Sequence, residues 1–419
     1  MSFARNGLMH KIFARAVMSQ YRITPPIAIA LFLGFLLGSG SFAYGARYVP
    51  ESYAELYQGL NNALAEADSR ITGTSADWHP VYSVDLLAAN SNRGPALLQS
   101  ETLGTVRLSL DRFKALGIQS VKFALQYPML RPDFPDAAKY LVFYKQVVQE
   151  AHARGIKVMP HVTVLFADTP FSPFKGIYKG LDLERFKREY RDMVRLVVRE
   201  LQPDYLGLIT EPDTQARLTG IRELNQPQTV VEVVKFTLNG LDRGKTLIGA
   251  GSGSWSPTAF AKALAEQTDV DFIAIHIYPI TGRMLTNAIQ MARIARANKK
   301  QAIIDEAWLY KILKPGGGDN VAAASEVYRR DTFSFWEPLD QKFIALILKL
   351  ARAEHVSLVS FFWSGLLFGY LDHTPDLDRL PYRELAQRHN RVVYQNLRNG
   401  VLSETGEYLR DEILIQRKR

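Results

Sequence analysis

From residue 81 onward, short runs of β-branched and aromatic residues alternate with longer segments whose apolar positions recur every three or four residues. The short runs read as strands buried on both faces, and the long segments as amphipathic helices. Eight strands are predicted: VYSVDLLAA from residue 81, SVKFALQY from 120, IKVMPHVTV from 156, DYLGLIT from 204, TLIGAGS from 246, VDFIAIHIY from 270, QAIIDEA from 301 and VSLVSFFWS from 356. Helical segments separate them, among them GTVRLSLDRFKALG, LERFKREYRDMVRLVVREL and DQKFIALILKLARAEH. Several close on Gly, Asn or basic residues, as helix ends do. Eight strand–helix units in about 330 residues predict a closed (β/α)8 barrel of the TIM type. A doubly wound sheet would want a Gly-x-Gly-x-x-Gly turn after the first strand, and the sequence has none there.

Upstream, ESYAELYQGLNNALAEADSRI has helical spacing and is expected to pack on the outside of the barrel. Before it, Arg5, Lys11, Arg15 and Arg22 lead into PPIAIALFLGFLLGSGSFAYGA. The apolar stretch from Ile27 to Leu37 is short for a spanning helix, which needs about 20 residues. Ser39, Ser41 and Ala43 then suit signal-peptide cleavage. A start at Met18 gives the charged region an ordinary length, whereas a start at Met1 favours an uncleaved inner-membrane anchor. Export is the expectation, leaving the protein periplasmic, membrane-anchored or secreted. The predicted organisation is a signal peptide or anchor over 1–46, a helical extension over 47–80 and the barrel over 81–419.

Composition removes several classes of function. The 419 residues include no cysteine, so disulfides, thiol catalysis and cysteine-based metal sites are out. The net charge of +9 is spread along the chain. Without a polybasic run interleaved with aromatics, a nucleic-acid partner is not expected.

In such barrels the active site forms where strands end, at the C-terminal face. The fourth strand ends in Thr210-Glu211-Pro212-Asp213 and the seventh in Asp305-Glu306, followed by Trp308. His276 and Tyr278 close the sixth, Trp255 follows the fifth and Trp363 ends the eighth. Two carboxylates at a barrel mouth are costly unless paired or at work. On opposed strands they can flank one glycosidic bond, one protonating the leaving oxygen while the other attacks carbon or activates water. Four of the five tryptophans, Trp255, Trp308, Trp336 and Trp363, follow strands five, seven or eight, where their faces could stack on sugar rings.

These residues resemble the pattern of clan A glycoside hydrolases, the retaining group that includes cellulase-type and mannanase-type family 5 enzymes. The resemblance covers about residues 81–399. It rests on Glu-Pro after strand four, His-x-Tyr on strand six, Glu on strand seven and Trp on strand eight. It implies that Glu211 is the acid/base and Glu306 the nucleophile. It also implies that His276 and Tyr278 touch substrate and hold the nucleophile, and that Trp363 is a stacking platform; Trp308 is expected to extend that floor. No metal or organic cofactor is implied, and the expected partner is a poly- or oligosaccharide. Three positions depart from the clan. Thr210 stands where Asn usually binds the sugar 2-hydroxyl, and Lys122 where strand two usually carries Arg, losing the bidentate fork. On strand three, His161 and Thr163 compete for the place of the usual His.

Other readings weigh less. A metal hydrolase would want clustered ligands, typically His-x-His, and His161 and His276 are scattered. A phosphate barrel would use glycine-rich backbone such as KPGGGDN, but no helix start follows it at once. From a different class, a non-catalytic glycan-binding barrel could keep the aromatics and scaffold a polysaccharide at the membrane.

Overall fold

Eight parallel strands hydrogen-bond in sequence order and close into a barrel. They are β1 (Val81–Asp85), β2 (Ser120–Ala124), β3 (Lys157–His161), β4 (Tyr205–Gly207), β5 (Leu247–Gly253), β6 (Phe272–Ile277), β7 (Gln301–Ala307) and β8 (Leu358–Phe361). Seven lie inside their expected segments, β5 runs one residue past its segment to Gly253, and β8 pairs back onto β1 from Val81 against Leu358. The computed structural model describes residues 48–73, 77–278, 282–313 and 321–417. The export segment and the glycine-rich loop Lys314–Asn320 lie outside the described residues. Among the described residues, no helix is long and apolar enough to cross a membrane.

The helices are α1 (Glu51–Arg70), α2 (Thr102–Leu116), α3 (Ala137–His152), α4 (Leu183–Leu201), α5 (Pro212–Thr219), α6 (Pro227–Leu238), α7 (Ala259–Gln267), α8 (Gly282–Ala297), α9 (Val321–Arg330), α10 (Glu337–Ala353), α11 (Pro375–Asp378), α12 (Tyr382–Asn399) and α13 (Glu404–Arg417). The long helices bury one stripe against the strands, as α4 does with Phe186, Tyr190, Val194 and Val197. Helix α1 packs outside the barrel through Leu60 and Leu64, and its Tyr57 stacks on Trp336 at 5.7 Å. The C-terminal α13, which the periodicity did not indicate, buries Leu409 and Ile413.

Inside the barrel the chemistry changes along its axis. Met159, Tyr205, Phe272, Ala274, Ile303 and Leu358 form an apolar plug toward the strand starts. Above it Ser83 lies in register with Ser120 and Ser360, and the next inward positions are Asp85 and Lys122. Two glycines make room for bulky neighbours. A Cβ on Gly207 would stand 2.6 Å from the His161 ring, and one on Gly249 would stand 2.1 Å from the Phe272 ring.

Strand β7 carries a bulge. Ile275 pairs with Ile304, yet His276 pairs with Glu306, so Asp305 is an extra residue on that side. The β8 side shows the same shift, with Val359 opposite Ile304 and Phe361 opposite Ala307. Such a bulge re-aims side chains that would otherwise alternate.

The plug generates a stability prediction. Gly249→Ala is expected to lower unfolding free energy by about 1–3 kcal/mol, the usual cost of overpacking a core. Denaturant unfolding checks this, and a wild-type midpoint would show that the plug can yield.

Candidate active site

Local structure explains why the two glutamates reach the mouth. Strand β4 ends at Gly207, but Leu208 N–H still bonds to the Gly249 carbonyl and the Ile209 carbonyl still accepts from Gly251, so the chain stays alongside β5. Pro212 then starts α5, a position where its missing N–H costs nothing. Glu211 therefore stands between strand and helix with its carboxylate at the barrel mouth, 17% exposed. Glu306 arrives through the β7 bulge and is 13% exposed. Both line one cavity of about 920 Å³, together with Lys122, His161, Thr210, Trp255, His276, Tyr278 and Trp363.

Each acid belongs to a buried polar chain. Lys122, almost wholly buried, places its ammonium 2.9 Å from Asp85 and in contact with Glu306. Burial would strip charge from Lys122, but the two carboxylates outweigh it and raise its pKa. Burial likewise opposes charge on Glu306, yet Lys122 and His276 hold its carboxyl below the ordinary value. Asp85 is pushed up to about 6, because burial there exceeds the pull of Lys122.

The second chain runs through the imidazoles. His276 meets Glu211 at 2.8 Å through Nδ1, and its Nε2 lies 3.3 Å from Asp305. Asp305 also lies 3.1 Å from Nε2 of His161. Burial disfavours the charge on His276, but Asp305, Glu306 and Glu211 raise its pKa well above the usual histidine value. His161 goes the other way, burial winning over Asp305. Asp305 is fully buried, and the two imidazoles overcome the effect of burial to hold it far below the carboxylate range.

Around the acids runs an arc of rings. Trp255 is 6.0 Å from Tyr278, which is 4.4 Å from Tyr310. Tyr310 shares a 2.7 Å hydroxyl contact with Tyr328 of α9, whose ring lies 4.8 Å from Trp363. Several polar atoms of the lining residues are buried without a hydrogen-bond partner among the described residues, among them Thr210 Oγ1, Trp363 Nε1 and Asp213 Oδ1. So are Nε2 of His161 and of His276, whose approaches to Asp305 are ion-pair contacts.

Most of the expected residues converge here, with adjustments. Trp308 does not: it is 1% exposed, does not line the cavity, and packs near the Lys311 ammonium at 5.9 Å. The cause is a buried clamp behind it, where Lys311 meets Asp340 at 2.5 Å and draws the segment after β7 inward. The expected floor therefore lacks Trp308. The hydrogen bond given to Glu306 comes from Lys122, whereas Tyr278 sits among rings. His161 and Thr163 both line the cavity, Thr163 accepting a 3.1 Å hydrogen bond from Gln126.

Asp85, Tyr310 and Tyr328 went unremarked in the sequence. Only Asp85 left a signal, an acid in an otherwise buried strand. Ligand atoms of His161, His276 and Glu306 lie within 4.8 Å of one another, close enough to share a cation. Here Lys122 already neutralises Glu306, and both nitrogens of His276 face carboxylates.

No family model matches the chain, and no curated protein sequence matches it. Among solved structures it is similar to the exo-beta-1,4-mannosidase Op5Man5 from Opitutaceae bacterium strain TAV5, with a TM-score of 0.52 and 14% identity over 83% of this chain. That match takes in 63% of the mannosidase, so the chain spans less than two thirds of its length. It is also similar to a GH5_18 protein variant from Bifidobacterium longum subsp. longum in complex with Manb1-4GlcNAc. There the TM-score is 0.53 and the identity 12%, over 81% of this chain and 79% of that one. At such identities the likeness is one of fold: the barrel is the kind on which these glycosidases are built.

Lys122→Met leaves Asp85 and Glu306 buried without their shared cation. Breaking such a pair is expected to cost about 3–5 kcal/mol. Both carboxyls would then have raised folded-state pKa values, and such groups destabilise increasingly as pH climbs from the unfolded value to the folded one. Unfolding measured at pH 5 and pH 7 should therefore show the larger loss at pH 7; equal losses would refute the pairing.

Proposed function

We propose that this protein is a glycoside hydrolase that cleaves, or transfers, β-linked glycans by a retaining double displacement. The observation that carries this reading is the meeting of Glu211 and Glu306, from β4 and β7, in one aromatic-walled cavity. Glu306, kept ionised by Lys122, is suited to attack the anomeric carbon. Glu211 then has the acid/base role, giving a proton to the leaving oxygen and later taking one from water. Thr210 offers an unpartnered hydroxyl to the sugar, and Trp255 and Trp363 offer ring faces.

Manno-configured β-1,4 substrates come first for trial, since they are what the similar solved proteins are named for or were solved with. The basic-then-apolar N-terminus supports a place of action outside the cytoplasm, on cell-envelope or extracellular polysaccharide.

Incubation with β-1,4-manno- and cello-oligosaccharides, followed by NMR, reads both turnover and product anomer. Retention is expected, and a directly inverted product would sink the double displacement. Glu306→Ala should abolish turnover, and Glu211→Ala should lower kcat by about 10²–10⁴-fold on substrates with poor leaving groups. Unaltered kinetics in either variant would remove that glutamate from the mechanism. Saturable glycan binding without turnover by the wild type would leave a non-catalytic glycan-binding barrel.

A further inference from the structure

The extra residue of the β7 bulge is unused by a mechanism that needs only Glu211 and Glu306. Asp305 is fully buried, and its two contacts are imidazoles, His161 at 3.1 Å and His276 at 3.3 Å. The far nitrogen of His276 is the one that meets Glu211, at 2.8 Å. A carboxylate, an imidazole and a second carboxylate thus stand in line, and the second is the acid/base of the reading above.

We propose that Asp305 is a positioning residue that holds His276 as the internal proton source for Glu211. The inference rests on the assignment of Glu211 as acid/base. With Asp305 against Nε2, His276 keeps that proton throughout and has one mobile proton, on Nδ1. Transfer along the 2.8 Å contact turns an imidazolium–carboxylate pair into a neutral imidazole and a carboxylic acid. As the glycosidic bond breaks, Glu211 gives this proton to the leaving oxygen, while Glu306 forms its bond to the anomeric carbon. In the second half, Glu211 takes a proton from the attacking water and returns it to Nδ1. The carbon–Glu306 bond breaks, and the array ends as it began.

The surroundings fit this role. His276 is faced by Glu211 from β4, Asp305 and Glu306 from β7, His161 from β3, Lys122 from β2 and Asp85 from β1. Carboxylates outnumber cations in that set, which favours the imidazolium. His161, kept neutral by burial, steadies the far side of Asp305 without competing for its charge.

Asp305→Asn tests the proposal on two substrate types, alkyl β-glycosides and dinitrophenyl β-glycosides, whose leaving group departs without protonation. On the first, kcat should fall about 10²-fold, the low end of general-acid assistance. On the second it should stay within a few-fold. The alkaline limb of kcat/KM should move down by about one pH unit or more, as loss of a neighbouring carboxylate requires. Equal losses on both substrates, or an unmoved limb, would mean that Asp305 only supports the bulge. Nitrogen NMR of the wild-type imidazoles provides a reading independent of any variant's folding. Both nitrogens of His276 should remain protonated at pH 8, and a neutral ring would overturn the proposal. A wild type inactive on both substrates would count against the glycosidase reading, while the NMR result would still decide on the imidazolium.

Discussion

A lysine ammonium inside a β-barrel is tolerable only between carboxylates, and Lys122 stands between two. The same rule is met a second time by His276, which stands between Glu211 and Asp305. The heart of the barrel is thus two cations, each clasped by two acids drawn from different strands. Pairs of this kind roughly break even against hydrophobic replacements. The fold must therefore draw its stability from the apolar plug below and the helical layer outside. What the charged layer supplies is fixed geometry: one acid of each clasp, Glu306 or Glu211, keeps some exposure at the mouth, and the other, Asp85 or Asp305, is fully buried.

Architecture and chemistry are divided along the barrel axis. Near the strand starts, Phe272 fills space that Gly249 leaves free, with Tyr205 packed beside it. Near the strand ends, small residues such as Gly207 leave room for His161. Beyond the strands, Trp255, Tyr278 and Tyr310 meet at tilted angles, while Tyr310, Tyr328 and Trp363 meet edge to face, a preferred arrangement that fixes their orientation. Tyr328 reaches this arc only because α9 is inserted after β7, and the buried Lys311–Asp340 pair anchors that insertion.

The barrel was legible because every strand is buried on both faces and every long helix has one apolar stripe. Those signals survive in a single sequence. Glu211 and Glu306 were legible because they interrupt apolar strands where a barrel places its mouth. Asp305 and Glu306 were ambiguous, since neighbours on a regular strand face opposite ways and no residue type announces a bulge. Trp308 misled for a related reason: position after a strand does not say which way an indole turns, and a buried lysine four positions from the strand's end decided it. Tyr310 and Tyr328 were hidden because the arc depends on tertiary convergence. Short helices such as α5 and α11 hold too few residues to show a period.

The bulge also bears on how such a barrel could change its occupation over evolution. Glu306 and Asp305 both face the interior because one strand holds one residue more than its neighbours. Loss of that single residue would restore an ordinary ladder, leave the eight-stranded closure and the aromatic arc in place, and allow one acid instead of two inside. The barrel would keep its cavity while losing either the carboxylate that meets Lys122 or the one set between its two histidines. On this scaffold, a single codon deletion would unmake the charged array and leave the closed barrel standing.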